Sequence, residues 1–322
     1  MKKFLSSLLA LLAFSLCAAS YAASDYPSRP IRLIVPYASG GTTDIIGRIL
    51  AEKLSSALGQ SVIVENKAGA NSMIGTSQVA RAASDGYTLL LTSNVVVINE
   101  FLYSRPTYHA LTDLTPIAPI VTTPYFLIVN SKLPVHSVSD LVAYAKAHPG
   151  QLSFGSSGTG GTPHLVGELF KLHTGTQLLH VPYKGTGPAT VDLVADRVQL
   201  MFVGMPAVEP FVKAGSLRVL AAAEDKRSAL MPQVPTIKEE GFPGIAAMNW
   251  FGLLGPANLP ADVVEKISAA AAKITSSEDF RKKMERLGAE PMTSTAQEFD
   301  VLFKSDRARW KQVIEANKLK ID

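Results

Sequence analysis

The chain reads as an α/β protein folded into two lobes. Apolar, β-branched runs alternate with helically spaced apolar residues in two separate stretches, the signature of mostly parallel sheets covered by helices. Each stretch carries a glycine-rich strand-to-helix loop, Ala38-Ser39-Gly40-Gly41-Thr42-Thr43-Asp44 and Gly155-Ser156-Ser157-Gly158-Thr159-Gly160-Gly161-Thr162-Pro163-His164. After the second stretch, a strand pattern and three helices lead back to the first. The length of 322 residues also favours two domains.

Residues 31–35 form a buried strand that ends at Pro36-Tyr37. Ile45, Ile46, Ile49, Leu50, Leu54 and Leu58 then recur at helical spacing, with Gly59 placed as a C-terminal cap. A strand at 61–65, a turn at 66–71, a helix at 73–83, the Asp85-Gly86 turn and a strand at 87–91 complete a β-α-β-α-β unit. Residues 94–115 show little periodicity and read as irregular. Strands follow at 119–121 and 125–130, then a helix at 137–147 closed by Pro149-Gly150. The strand at 152–154 feeds the second loop, where Pro163 suits the first helical position with Thr162 as N-cap. Leu165, Val166, Leu169, Phe170 and Leu172 give that helix its apolar face. A strand at 178–181, a helix at 189–196, a strand at 198–203, a helix from about 206 to Gly215 and a strand at 217–222 extend the second lobe. A strand at 250–256 and helices at 261–274, 278–287 and 296–317 finish the chain. These patterns assign 23–123 plus 249–322 to lobe 1 and 124–248 to lobe 2. Two crossings make a hinge, and the cleft between lobes is the expected ligand site.

Residues 1–22 have the features of a cleaved export signal: Lys2 and Lys3, an apolar stretch from 4 to 18, and Ser20-Tyr21-Ala22 before the cleavage point. The stretch is shorter than the roughly 20 residues a membrane span needs. Cys17 is the only cysteine and leaves with the signal, so neither a disulfide nor a thiol nucleophile is expected. Leu16 before it argues against lipidation. The formal charge of +4 drops to about +2 without Lys2 and Lys3, and no basic tract is interleaved with aromatics, which excludes the electrostatic footprint of a nucleic-acid binder.

A helix N-terminus offers unpaired N–H groups and roughly half a positive charge, so both glycine loops read as anion cradles. Ser39, Gly40, Gly41, Thr42 and Thr43 are the donors assigned to the first, with Asp44 as a helix cap. The second loop ends in no Lys-Ser/Thr pair and contains neither G-x-G-x-x-G nor G-x-S-x-G, which excludes a P-loop, a dinucleotide fingerprint and a nucleophile elbow. Tyr183 and Lys184 sit at a further strand-to-loop junction, and Asn94 follows the strand at 87–91 on the rim of the first loop. The six histidines show no metal-ligand spacing, and His173 and His180 read as structural or solvent-facing. An exported hydrolase or transferase would rest on Ser156 or Ser157 beside His164; a ligand sensor for a membrane signalling protein would share the fold and the ligand chemistry.

The chain resembles the substrate-binding proteins of tripartite tricarboxylate transporters, the Bug-type family. The resemblance is carried by Pro27-Ser28-Arg29-Pro30-Ile31, by the run from Val35 to Asp44, and by Val64-Glu65-Asn66-Lys67-Ala68-Gly69-Ala70-Asn71. Asp85-Gly86-Tyr87-Thr88, Gly160-Gly161-Thr162-Pro163-His164, Val181-Pro182-Tyr183-Lys184-Gly185 and the stretch from Arg227 to Phe242 continue it over essentially the whole mature chain. Thr107-Tyr108-His109-Ala110 departs from the aromatic-Asp pair expected there. The resemblance implies a bilobal periplasmic binding protein of the type II Venus-flytrap fold that is not an enzyme, uses no cofactor or metal, and acts as a monomer in the periplasm. It implies a small carboxylate ligand (a di- or tricarboxylate, an acidic amino acid or an aromatic acid) and a membrane permease as partner. Carried onto this sequence, Ser39, Gly40, Thr42 and Thr43 hold one carboxylate, and Ser156, Gly160, Thr162 and His164 close on it. Tyr37, Asn94, Tyr183 and Gly204 line the remaining walls.

Overall fold

The computed structural model describes residues 26–320 apart from 38, 41, 184, 185 and 317. The expected signal segment with Cys17, and Gly41 and Lys184 of the loops, lie outside the described residues. Strands β1 (Ile31–Val35), β2 (Val62–Asn66), β3 (Thr88–Ser93) and β4 (Leu114–Thr122) belong to a six-stranded sheet. β5 (Phe126–Asn130), β6 (Ser153–Ser156), β7 (Leu179–Pro182), β8 (Leu200–Val203) and β9 (Leu217–Ala222) form a second, five-stranded sheet. The chain then returns to the first through β10 (Trp250–Pro256) and the short β11 (Glu290–Pro291), giving the orders β11-β4-β10-β3-β1-β2 and β7-β6-β8-β5-β9.

β1, β2 and β3 are parallel, as are β6, β7 and β8. Parallel neighbours require crossover helices, and those helices start at the C-terminal edge of the sheet. The helices Thr42–Leu58 and Met73–Ala80 make the crossovers of the first sheet, and Thr162–Thr174 and Thr186–Val194 those of the second. Antiparallel β5 and β10 enter each sheet from the other, pairing with β8 and β9 and with β3 and β4.

The two passages between the sheets are bonded to each other. The Thr123 N–H donates to the Asn249 carbonyl at 3.0 Å, and Asn249 Nδ2 donates to Thr123 Oγ1. Trp250, the first residue of β10, is fully buried and packs edge-on to Phe299 at 5.3 Å, while its Nε1–H donates to Asp306 at 2.9 Å. Phe299 and Asp306 lie on the last helix, Ala296–Ala316. That helix packs against β4 and also touches Thr162–Thr174 of the second sheet. A continuous buried cluster therefore joins Leu90 of β3 to Phe154 and Phe202 of the second sheet through Trp250 and Phe299.

Residues 94–115 are not irregular. They hold the helices Val95–Leu102 and Ala110–Asp113 and the start of β4. Val95 to Asn99 are all buried, so the helix is apolar nearly all round and lacks the one-sided pattern that marks a surface helix. Only 119–121 of β4 was expected as strand, because Pro116 and Pro119 normally disqualify an inner strand. They are accommodated at two register shifts against β10, one beside each proline. Thr162 is the first helical residue rather than the N-cap, which is Gly161. Leu172 is exposed, because it falls in the last turn, off the face packed on the sheet.

Gly75, in Met73–Ala80, lies against the segments flanking the first loop. A Cβ there would sit 2.8 Å from the Lys67 carbonyl oxygen and 3.0 Å from Pro36 Cα. Because backbone must move, Gly75→Ala is expected to destabilise by about 1–3 kcal/mol, read as a melting point several degrees lower by circular dichroism. An unchanged midpoint would show that this approach is not tight.

Candidate ligand-binding site

Three helices begin at one cavity. Thr42 is the first residue of Thr42–Leu58, Pro163 the second of Thr162–Thr174 and Thr186 the first of Thr186–Val194. All three line a space of about 270 Å³ between the sheets, together with Gly204 at the end of β8 and the bonded pair Thr123 and Asn249. The first turn of a helix has N–H groups without intrahelical partners, and its peptide dipoles sum to a partial positive charge. Among the described residues, no Lys, Arg, His, Asp or Glu lines this space.

The first loop is held by its own carboxylate. Asp44, buried in the first turn, accepts from the Gly40 N–H at 2.8 Å, from Arg48 Nε at 3.0 Å and from Asn66 Nδ2 at 3.0 Å. Burial alone would raise its pKa, but these donors hold it below the ordinary carboxylate value. Asp44 thus caps the loop, as the sequence suggested. The assignment of the Gly40 N–H as a free donor is corrected, because that hydrogen is already given to Asp44. Gly40 has φ +81°, a left-handed conformation that favours glycine. Ser39 and Thr42 are exposed, whereas Thr43 is buried.

The second loop is held by a stacked histidine pair. The His164 and His180 rings lie 3.9 Å apart at 21°, and Phe154 stacks on His180 at 4.9 Å. His164 Nδ1 accepts the Gly160 N–H at 3.1 Å. The fully buried Ser156 hydroxyl bonds His180 Nε2 at 2.7 Å and the Gly158 carbonyl at 3.1 Å. Gly160 is thus held by His164, and Ser156 by His180 and Gly158, inside the lobe, and Ser157 and Pro163 are the loop residues that reach the cavity. Ser156 pairs with His180 rather than His164 and has no access to solvent, so the serine–histidine set of a hydrolase does not assemble around it. His180, read as structural or solvent-facing, takes the structural role: its half-buried ring bonds Ser156 and stacks on His164.

Asn94 and Thr162, from different sheets, meet directly. Thr162 Oγ1 donates to Asn94 Oδ1 at 3.1 Å, and Asn94 Nδ2 donates to the Met248 carbonyl at 3.2 Å. Thr162 already lies in the first turn, so it does not cap its own helix, and its hydroxyl reaches across the cleft. Tyr37 reaches the same region, its hydroxyl 2.8 Å from Ser93 Oγ. The Tyr183 hydroxyl instead donates to Asp192 at 2.8 Å, and burial followed by that carboxylate pushes its pKa up to about 12.

The structure thus brings Thr42 and Gly204 to the cavity wall and sets Asn94 and Thr162 across the cleft. Tyr125, Phe251, Leu287 and Gly288 also line the cavity and were missed. They come from a crossing, a strand and a helix end that carry no local chemical signature.

Two α/β units joined by paired crossings, with helix N-termini from both converging on the space between them, define a bilobal solute-binding protein. The chain belongs to the tripartite tricarboxylate transporter family receptors, whose model matches residues 46–319. It is 37% identical over 306 residues to protein BugT of Bordetella pertussis, covering 94% of each chain. It superposes on R. palustris Rpa4515 with adipate at a TM-score of 0.80 and 36% identity, covering 92% of this chain and 100% of that one. MatC from Rhodopseudomonas palustris with bound malate gives 0.75 and 28%, covering 90% and 100%.

Burial, and then the nearby positive charge of Lys171, lowers the His164 pKa to about 4; burial, and then His164, does the same to His180. Each ring takes up its proton near 6.5 in the unfolded chain and near 4 in the native one. Across that window the unfolded state binds more protons, so native stability falls as the pH drops from 6.5 towards 4. Protonation also turns His164 Nδ1 from an acceptor into a donor, breaking the Gly160 contact. Urea unfolding of the wild type is expected to lose stability over this range more steeply than His180→Gln. Parallel curves for the two proteins would show that His180 does not titrate in this way.

Proposed function

We propose that the protein is a periplasmic receptor that captures a small carboxylate between its lobes and delivers it to a tripartite tricarboxylate-type membrane permease. The observation that carries this reading is the convergence of three helix N-termini on one cavity that no charged side chain lines among the described residues. Hydrogen bonds to a charged acceptor contribute about 1.5–3 kcal/mol each. A few of them, offset by the cost of association, suit micromolar binding of about −8 kcal/mol. That strength permits both capture and release, which a shuttle requires. The adipate and malate in the structures of the two relatives support the same ligand chemistry.

In this reading, Thr42, Ser39 and Gly204 face the ligand with Ser157 and the first turns of the helices at Thr162 and Thr186. Gly40, Thr43, Ser156, Gly160 and His164 shape the two loops, and Tyr183 buttresses the third. Lobe 1 (23–123 and 249–322) and lobe 2 (124–248) swing about the Thr123–Asn249 pair, and Tyr37, Asn94 and Thr162 mark where the lobes meet on closure. Export follows from the signal read at 1–22.

Isothermal titration with adipate, malate and aromatic acids tests the reading. One-to-one binding without chemical change is expected for at least one of them. A Cβ at Gly204 would meet nothing nearer than 3.8 Å, so Gly204→Val is expected to fold normally yet weaken binding about tenfold by filling the cavity, a difference of about 1.4 kcal/mol. Turnover of the acid, or full affinity in the folded variant, would contradict the reading.

A further inference from the structure

The cavity is polar where the helices begin and at the crossing pair Thr123 and Asn249, and apolar over most of the remainder. Tyr125, Met201, Phe202, Pro206, Phe251 and Leu287 supply the rest of its surface, and no charged side chain joins them among the described residues. Three helix ends carry about half a positive charge each, an effect that fades beyond the first turn. Together they offset about one negative charge well and three poorly. Among the described residues no cation lines the cavity to pair with a third carboxylate, which would also lack a share of a helix end, and burying an unpaired carboxylate is strongly unfavourable.

The protein carries its own report on one of these walls. Glu224 follows Ala223, whose N–H donates to the carbonyl of the cavity-lining Tyr125 at 2.8 Å. Its side chain is 9% exposed, and Oε1 has no hydrogen-bond partner. Burial first, and then Glu290 and Asp225, push its pKa up to about 8 against a hydrogen bond from the Tyr125 backbone and the pull of Arg309, whose guanidinium is already bonded to Asp306 and the Ala246 carbonyl. The surroundings behind Tyr125 thus disfavour a second negative charge.

We propose that the site selects acids bearing one carboxylate on an apolar or aromatic body over acids bearing three carboxylates. The selection rests on the carboxylate-receptor reading given above and narrows its ligand class. The helix ends take the carboxylate, and the apolar walls take the body, at roughly 25 cal/mol per Å² of apolar surface removed from water.

Calorimetric titration of the purified protein with hexanoate, benzoate and citrate at pH 7.5 decides it. The tighter binder of hexanoate and benzoate is expected to exceed citrate by at least tenfold. Leu287→Arg, which places a cation at a half-buried wall position, is expected to cut that ratio at least tenfold while the variant still unfolds cooperatively. Citrate binding as tightly as, or more tightly than, both monocarboxylates would overturn the selection while leaving the receptor reading in place. No heat with any of the three acids would overturn the selection, and no heat with adipate and malate as well would overturn the receptor reading. An unchanged ratio in folded Leu287→Arg would overturn the assignment of the apolar wall.

Discussion

The N–H groups at the start of a helix have no partner within that helix, and a folded protein must give them one. Here the parallel order of β1–β3 and of β6–β8 sends the following helices off the C-terminal edge of each sheet. Because the two sheets face each other through the Thr123–Asn249 crossing, those edges border a common space. Thr42, Pro163 and Thr186 arrive there from three separate strands. Their partial charges add without the desolvation that a buried lysine or arginine would demand. The rest of the structure serves to keep these ends oriented.

Orientation is maintained by side chains that do not face the cavity. Asp44 fixes the first loop through Gly40, Arg48 and Asn66. His164 and His180, neutral and stacked, fix the second through Gly160 and Ser156. Both devices use up donors and acceptors that a reading of the loops alone would assign to a ligand. The same economy appears in Thr162, whose hydroxyl crosses to Asn94. Residues that surround an anion site therefore divide into those that touch the space and those that hold the loop, a distinction made by burial and not by residue type.

Much of the architecture was legible because strand and helix periods differ and because Gly, Pro and Asp mark their junctions. The glycine loops were found for that reason, and two sheets formed where the alternating pattern placed them. Val95–Leu102 escaped because a helix buried on nearly all sides has no polar face to reveal its period. Most of β4 escaped, although 119–121 was expected, because its prolines are tolerated only at register shifts that another strand, about 130 residues away in sequence, provides. In the site, Thr42 was accessible to local reasoning, since a strand-to-helix turn announces itself, and Gly204 came from the family resemblance. Phe251 and Leu287 were not: an apolar residue in a strand or at a helix end looks the same whether it faces a core or a ligand. The histidine pair was hidden likewise, since nothing in a spacing of sixteen residues implies stacked rings.

The central claim is that backbone dipoles, rather than side-chain cations, hold the anion. A high-resolution crystal structure of the protein with a bound carboxylic acid tests this most directly. The account predicts carboxylate oxygens within hydrogen-bonding distance, about 2.7–3.2 Å, of N–H groups in the first turns beginning at Thr42, Thr162 and Thr186, with no lysine or arginine in contact. A carboxylate paired with a lysine or arginine side chain, or seated away from those helix starts, would contradict it.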